Sequence, residues 1–546
     1  MSPSRFRAPN PTTTRPNPRT KHPTTTRSRP HTILATLAST ALLAESLTLA
    51  TPAEALEPDA SSEALSSLAT FGSSTLGAVL TSGARLADTS SQRPSPAIGT
   101  TAGQLGDTTK VPGAPRITRI SYTTTKENGQ IVSTTGALYD TPNAKGLIAL
   151  APGTRGMGNH CAPSAPAGLT LSITDGSINV NYETPVVREL NKSGYRVVVI
   201  DYIGLGSEGT HTYLNRVEQG HALIDAARAT AKPGEKVGFW GYSQGGGAAA
   251  AAAELVADYA PELNVVGTFA GAPPADPIAV LEQAPPGITD LVASFAAVSY
   301  ASTYPEFDEA LSATLTNEGK QILAQVGNAC ILDGTRALPQ PFESYTTDGR
   351  TLAQIARDDD RILKYLNHNK LGQAPVSAPI MVLTNPDDDL VPEPQATQLA
   401  ADYCALGSPV EYRKVTVPGT ATMPLYTKAD LSSALIVSNT PTAGHATPLL
   451  LETRHAAAWM DDRFEGKPLT RTCPGDTGTT VLNPDDADTP DVEIRLNQVE
   501  IAAIVLGTIT AITGLALGGA YQAFTHGWLD PYLDPRLKDW LTAVLP

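Results

Sequence analysis

The chain has 546 residues, 41% hydrophobic and 17% charged, which is enough apolar material for a large core plus extensions. Lys and Arg total 39 against 54 Asp and Glu, a net charge of −15, and this excludes the basic stripe that nucleic acid requires. Four cysteines with no Cys-x-x-Cys spacing exclude a disulfide scaffold and give no zinc signature, so neither metal nor cofactor is expected.

Residues 1–31 carry seven cations, no acid and many Pro and Thr, so they cannot build a core. An apolar run from Ile33 to Ala44 follows, then small residues ending in Ala53-Glu54-Ala55. A basic region, a short apolar region and an Ala-x-Ala site are the layout of a secretory signal peptide, and residues 1–55 are assigned to one. Residues 56–115 are rich in Ala, Ser, Thr and Gly with little apolar periodicity, and are expected to be loosely ordered.

Residues 116–480 alternate strand and helix. Ile117–Thr125 and Ile131–Tyr139 are β-rich runs joined at Asn128-Gly129, a strong hairpin signal. Short apolar strands are expected at Gly146–Leu150, Tyr195–Ile200, Lys236–Trp240 and Val265–Phe269, and again at Ile380–Leu383 and Val410–Val415. Helical patterns fall at Leu214–Ala229, Gln244–Tyr259, Gln395–Cys404 and Ala446–Phe464. An opening hairpin followed by this alternation predicts an α/β fold with a mostly parallel, doubly wound sheet and an antiparallel edge. Between residues 276 and 373 the alternation stops and helices are expected, as a cap inserted over the edge where such folds bind ligands. Apolar stretches there, Ile288–Val298 and Leu311–Val326, could line an acyl pocket or serve as ordinary packing faces.

Residues 481–500, rich in Asp and Pro, read as a linker. Ile501–Ala520 contains no charged residue and as a helix would reach about 30 Å, a candidate transmembrane span and the one route to membrane association. Residues 521–546 form a tail.

Gly241-Tyr242-Ser243-Gln244-Gly245 matches Gly-x-Ser-x-Gly. The pattern alone is weak in a chain this rich in Gly and Ser. Here an apolar strand enters it and an Ala-rich helix leaves it, and that context points to a nucleophilic serine on a strained turn. The plain alternative is a strand-helix turn with a capping serine. The helix aims its N-terminal N–H groups at the same spot, so the Gln244 N–H is the first oxyanion donor expected.

A serine needs a base, and the base an orienting acid, in the chain order Ser, acid, His on such a fold. Ile380–Leu383 runs into Asp387-Asp388-Asp389, of which Asp388 is favoured as the acid with Asp387 and Asp389 as rivals. Four histidines follow Ser243: His368 in the cap, His445, His455 within a helix and His526 after the apolar run. His445, in a loop just before the final helix, is the base expected. The second oxyanion N–H should come from the loop after an early strand, Ala151–Gly156, with Thr154 and Arg155 as donors.

Together these residues resemble the secretory lipase family, exported α/β-hydrolases that include fungal lipase A-type and actinobacterial enzymes. The likeness rests on Gly-Tyr-Ser-Gln-Gly-Gly at 241–246, Pro-Gly-Thr-x-Gly to Cys-Ala-Pro-Ser at 152–164, Asp-Asp-Leu-Val-Pro at 388–392, and the ending from His445 to Pro468. It covers residues 116–475. The serine motif alone also looks like cutinase, but cutinases are shorter and lack a cap. The resemblance implies the α/β-hydrolase fold, hydrolysis of triacylglycerol or other carboxylic esters, and the roles above for Ser243, Asp388 and His445. It also implies disulfides Cys161–Cys330 and Cys404–Cys473. Two departures stand out: the lengthened link at 416–442, and the C-terminal apolar stretch. The same triad would serve a peptidase or an acyltransferase of the cell envelope, and a non-catalytic envelope protein on the same fold is the third reading.

Overall fold

The computed structural model describes residues 94–111, 114–164, 169–172, 177–283, 288–416 and 443–482. The expected signal peptide (1–55), the linker beyond Leu482, the apolar stretch 501–520 and the tail 521–546 lie outside the described residues. Among the described residues no helix is long and apolar enough to cross a membrane.

The sheet is built from β1 (Leu105–Val111), β2 (Ala114–Thr125), β3 (Ile131–Tyr139) and β4 (Gly146–Ala151), then β7 (Tyr195–Ile200), β8 (Lys236–Tyr242), β9 (Asn264–Gly271), β10 (Ile380–Thr384), β11 (Val410–Thr416) and β12 (Thr480–Val481). A separate hairpin, β5 (Leu169–Ser172) with β6 (Ser177–Val180), stands apart from it. The spatial order is β1-β2-β3-β7-β4-β8-β9-β10-β11-β12. The first three pairings are antiparallel and all later ones parallel. Asn128-Gly129 makes the turn expected of it: Gly129 has φ 83° and Thr125 pairs with Ile131.

β4 and β7 are buried along their whole length, which is why both read as unbroken apolar runs. Helices α1 (Thr184–Lys192), α2 (Arg216–Thr230) and α3 (Gln244–Tyr259) follow β6, β7 and β8 in turn. Helices α2 and α3 cover one face, packing Leu223, Ala249 and Ala252 against Ile120, Leu147 and Phe239. On the other face, Val186 and Leu190 of α1 share a core with Met460 and Phe464 of the last helix. Helices on both faces of a largely parallel sheet, with this strand order, are the α/β-hydrolase fold.

Between β9 and β10 the described residues form seven α-helices: α4 (Pro277–Gln283), α5 (Ile288–Thr303), α6 (Pro305–Thr314), α7 (Asn317–Val326), α8 (Gly334–Ala337), α9 (Leu352–Asp358) and α10 (Asp360–His368). They have their own core, in which Tyr304, Phe307, Leu311, Ile355, Ile362 and Leu366 are buried together. Cys161–Cys330 ties this cap to the loop after β4, across 169 residues of chain. Closing so long a loop removes denatured-state entropy worth about 3–5 kcal/mol. Cys404–Cys473 joins α11 (Glu393–Ala405) to the segment after α12 (Ala443–Phe464).

Three features differ from expectation. Residues 105–111, assigned to a loosely ordered segment, form β1 at the open edge of the sheet. The strand carries three polar residues in its centre, Asp107-Thr108-Thr109, and neither face is fully buried, so it shows no apolar alternation. The sheet also reaches one residue into the expected linker, because Thr416 pairs with Val481. Finally, the last helix begins at Ala443, so His445 sits in its first turn and not in a preceding loop. Pro448 hid that start: it has no N–H for the Gly444 carbonyl, four residues back, and the Asn385 amide donates to that carbonyl instead at 2.8 Å.

Candidate active site

Strand β8 delivers the chain into a sharp bend. Ser243 has φ 60° and ψ −127°, a conformation that costs a non-glycine residue about 1–3 kcal/mol. Its N–H donates to the Gly271 carbonyl at 2.9 Å, and its own carbonyl accepts from the Gly247 N–H at 3.1 Å. The bend tolerates no side chain two residues to either side. A Cβ on Gly241 would stand 1.9 Å from the Gly245 carbonyl oxygen, and one on Gly245 would stand 2.0 Å from that of Ala151. The second contact also shows that the loop after β4 rests directly on the first turn of α3.

Gln244 opens α3, and its side chain is buried beneath the bend. The amide donates to His211 Nε2 at 3.1 Å and lies 2.9 Å from Gln219 Oε1. His211 Nδ1 faces the Ile203 carbonyl at 3.2 Å, an atom that can only accept, so the ring carries its proton on Nδ1. Burial pushes the His211 pKa down to about 4, and the ring is therefore neutral over the ordinary pH range.

The acid comes from the turn after β10. Asp388 Oδ1 accepts the N–H groups of Leu390 at 3.0 Å and Val391 at 2.7 Å. Its Oδ2 accepts from His445 Nδ1 at 2.8 Å. Because the carboxylate accepts a hydrogen bond from Nδ1–H, the tautomer it favours carries its lone pair at Nε2. That nitrogen is buried and makes no hydrogen bond with any described residue.

The histidine backbone is gripped from both sides. Asp389 Oδ1 accepts the His445 N–H at 3.0 Å, and the Tyr242 hydroxyl donates to the His445 carbonyl at 2.7 Å. Asp387 is turned elsewhere and accepts from the Thr416 hydroxyl at 2.6 Å. Of the three adjacent acids, Asp388 is the one on the imidazole. The other histidines are occupied differently: His368 bonds Glu127 of the β2–β3 turn, His455 is exposed on α12, and His526 lies outside the described residues. Ser243 and His445 are not hydrogen-bonded to one another; Tyr242, adjacent to the serine, makes the link between the two segments.

The loop after β4 is held by buried side chains. The Gly153 N–H donates to Glu183 Oε1 at 2.8 Å, and the Thr154 hydroxyl pairs with Tyr213 at 2.8 Å. The Arg155 side chain is buried, 2.6 Å from Glu183 Oε2, and points away from solvent. The side chains of Thr154 and Arg155 are thus engaged by Tyr213 and Glu183. Sequence reading missed Tyr242, Asn385 and Glu183 as partners of the site, and it weighed Asp389 as a rival acid, not as the acceptor of the His445 N–H. Only Tyr242, inside the serine motif, and Asn385, in the strand-end run, lay near a recognisable signal. An apolar cavity inside the cap is lined by Val292, Ala296, Tyr300, Phe307 and Leu311 among others, so both stretches singled out from the sequence contribute to it.

Comparison with known proteins gives a family. The secretory lipase pattern matches residues 170–472. The chain is 25% identical over 344 residues to lipase A of Arthroderma benhamiae, covering 60% of this chain and 65% of that protein. It is 26% identical over 275 residues to a probable inactive lipase of Mycobacterium tuberculosis, covering 49% and 55%. The chain therefore spans less than two thirds of the length of these curated relatives. In fold it is similar to Candida antarctica lipase A in its closed state, with a TM-score of 0.57 at 20% identity, covering 77% of this chain and 94% of that one.

Proposed function

The chain belongs to the secretory lipase family, and from that premise we propose that it is an exported serine carboxylic-ester hydrolase acting on triacylglycerol. Ser243 attacks the ester carbonyl while His445 Nε2 takes the hydroxyl proton. Asp388 orients the imidazole and stabilises its cation. The Gln244 N–H and an N–H of Thr154 or Arg155 hold the oxyanion. His445 then returns the proton to the departing alkoxide, alcohol leaves, and water clears the acyl-enzyme by the same proton path in reverse. The apolar cavity of the cap would take the acyl chain.

One observation carries this reading. The Asp388–His445 pair leaves a buried imidazole nitrogen unpartnered, and Tyr242 ties that histidine to the residue before a serine held at φ 60°. Strain of that kind persists where the surroundings over-determine it, which fits a presented nucleophile better than a capping residue. A relative described as a probable inactive lipase makes loss of activity on this fold a real outcome. The test is turnover of p-nitrophenyl butyrate and emulsified triolein, with a peptide amide as the contrast. Both esters should be cleaved and the amide left intact, with Ser243→Ala losing about 10³-fold or more. Unchanged ester turnover in that variant rejects the proposal.

A further inference from the structure

The loop 151–156 is fixed at several polar atoms. The Tyr202 hydroxyl donates to the Pro152 carbonyl at 2.5 Å. The Tyr182 hydroxyl donates to the Thr154 carbonyl at 2.6 Å. The Arg155 carbonyl accepts the Ile331 N–H at 2.8 Å. Glu183 does two jobs at once: Oε1 accepts the Gly153 N–H at 2.8 Å and Oε2 accepts from the Arg155 guanidinium at 2.6 Å. Between those two anchors sits Thr154, whose N–H makes no hydrogen bond among the described residues.

Glu183 occupies the N-cap of α1, yet its side chain caps nothing. The carboxylate is turned from its own helix toward the loop. It is 5% exposed and Arg155 is 1% exposed. A buried ion pair gains little net stability over an apolar pair of the same shape, because both ions lose their water. Simple stabilisation is therefore a weak reason for a carboxylate here, and its two-point grip on the backbone at 153 and the side chain at 155 is a stronger one. Tyr182 adds a second grip, one residue earlier at the entry to α1. Its ring lies under the Arg155 guanidinium, 4.3 Å from ring centre to guanidinium carbon.

We infer that Glu183 and Tyr182 are positioning residues that hold residues 153–155 so that the Thr154 N–H is offered to the oxyanion. The inference rests on the ester-hydrolase reading. It assigns neither residue a contact with substrate: both act through the loop backbone. A donor aimed in advance costs no reorganisation as charge develops, whereas a loosened one loses much of its effect.

The experiment uses Glu183→Gln and Tyr182→Phe in the full chain. Three quantities are read: kcat and KM for p-nitrophenyl butyrate, the affinity of a trifluoromethyl ketone, and amide hydrogen exchange of residues 151–156. The ketone forms a tetrahedral adduct that uses the oxyanion site, whereas KM reports the ground state. Expected is a fall in kcat of about ten- to a hundredfold in Glu183→Gln and severalfold in Tyr182→Phe, with KM within about twofold. Ketone affinity should fall by the same factor as kcat/KM, and exchange should quicken. Unchanged kcat in both variants overturns the inference. So does a loss of kcat with undiminished ketone affinity, which marks general damage. Should Glu183→Gln fail to fold, Tyr182→Phe decides alone, since it removes one hydroxyl. If the wild-type protein cleaves no ester, the function reading fails separately. Exchange then judges the clamp, and unchanged exchange in the variants ends it.

Discussion

The Tyr242 hydroxyl donates to the His445 carbonyl at 2.7 Å, joining the residue before the serine to the residue proposed as base. The two segments lie about 200 residues apart in sequence, and this bond sets one against the other. Both atoms are buried. Burial also pushes the tyrosine pKa well above its usual value, so the hydroxyl remains a donor at any working pH. Tyr242→Phe should cost about 1 kcal/mol of stability and lower kcat severalfold, because the histidine turn gains freedom. Chemical denaturation and steady-state kinetics on one preparation check this, and an unchanged kcat speaks against the coupling.

The three adjacent acids separate by partner. Asp388→Asn would remove the acceptor for His445 Nδ1 and favour the wrong tautomer, lowering kcat by about 10³–10⁴. Asp389→Asn, at the carboxylate that accepts the His445 N–H, should lose about tenfold or less. Asp387→Asn should stay near wild type, since its carboxylate serves Thr416. An ordering of kcat values in which Asp387→Asn is the most damaged would reassign the acid.

His211 gives a stability signature in acid. Its folded pKa, about 4, lies below the unfolded value near 6.5 because burial disfavours the cation. A group with a depressed folded pKa contributes stability that is present above the unfolded pKa and is lost as pH falls toward the folded one. The window is therefore pH 6.5 down to 4, and the loss is on the order of 3 kcal/mol. Urea unfolding of the wild-type protein and His211→Gln should give curves that converge as pH falls through that window. Parallel curves would show that the ring is protonated without penalty.

Much of this was legible in the sequence because local chemistry and global fold agree there. Ser243 was found from three coincident signals: a strand, two glycines that a Cβ would exclude, and a helix. The sequence does not separate Asp388 from its neighbours, because three identical side chains differ only in the direction the turn gives each. Glu183 was not legible at all. Its partners Gly153 and Arg155 precede it by about 30 residues, and no periodicity marks a carboxylate that leaves its own helix uncapped. Edge strand β1 escaped for the opposite reason: a strand with no buried face has no pattern to display.

Everything proposed for this site requires Ser243 to be a nucleophile made reactive by His445. Intact-mass and peptide mass spectrometry after reaction with diethyl p-nitrophenyl phosphate tests it most directly. One diethylphosphoryl group should attach, on Ser243, and His445→Ala should slow the labelling by about 10³-fold or more. A folded wild-type protein that takes no label, or takes it at another residue, would contradict the claim.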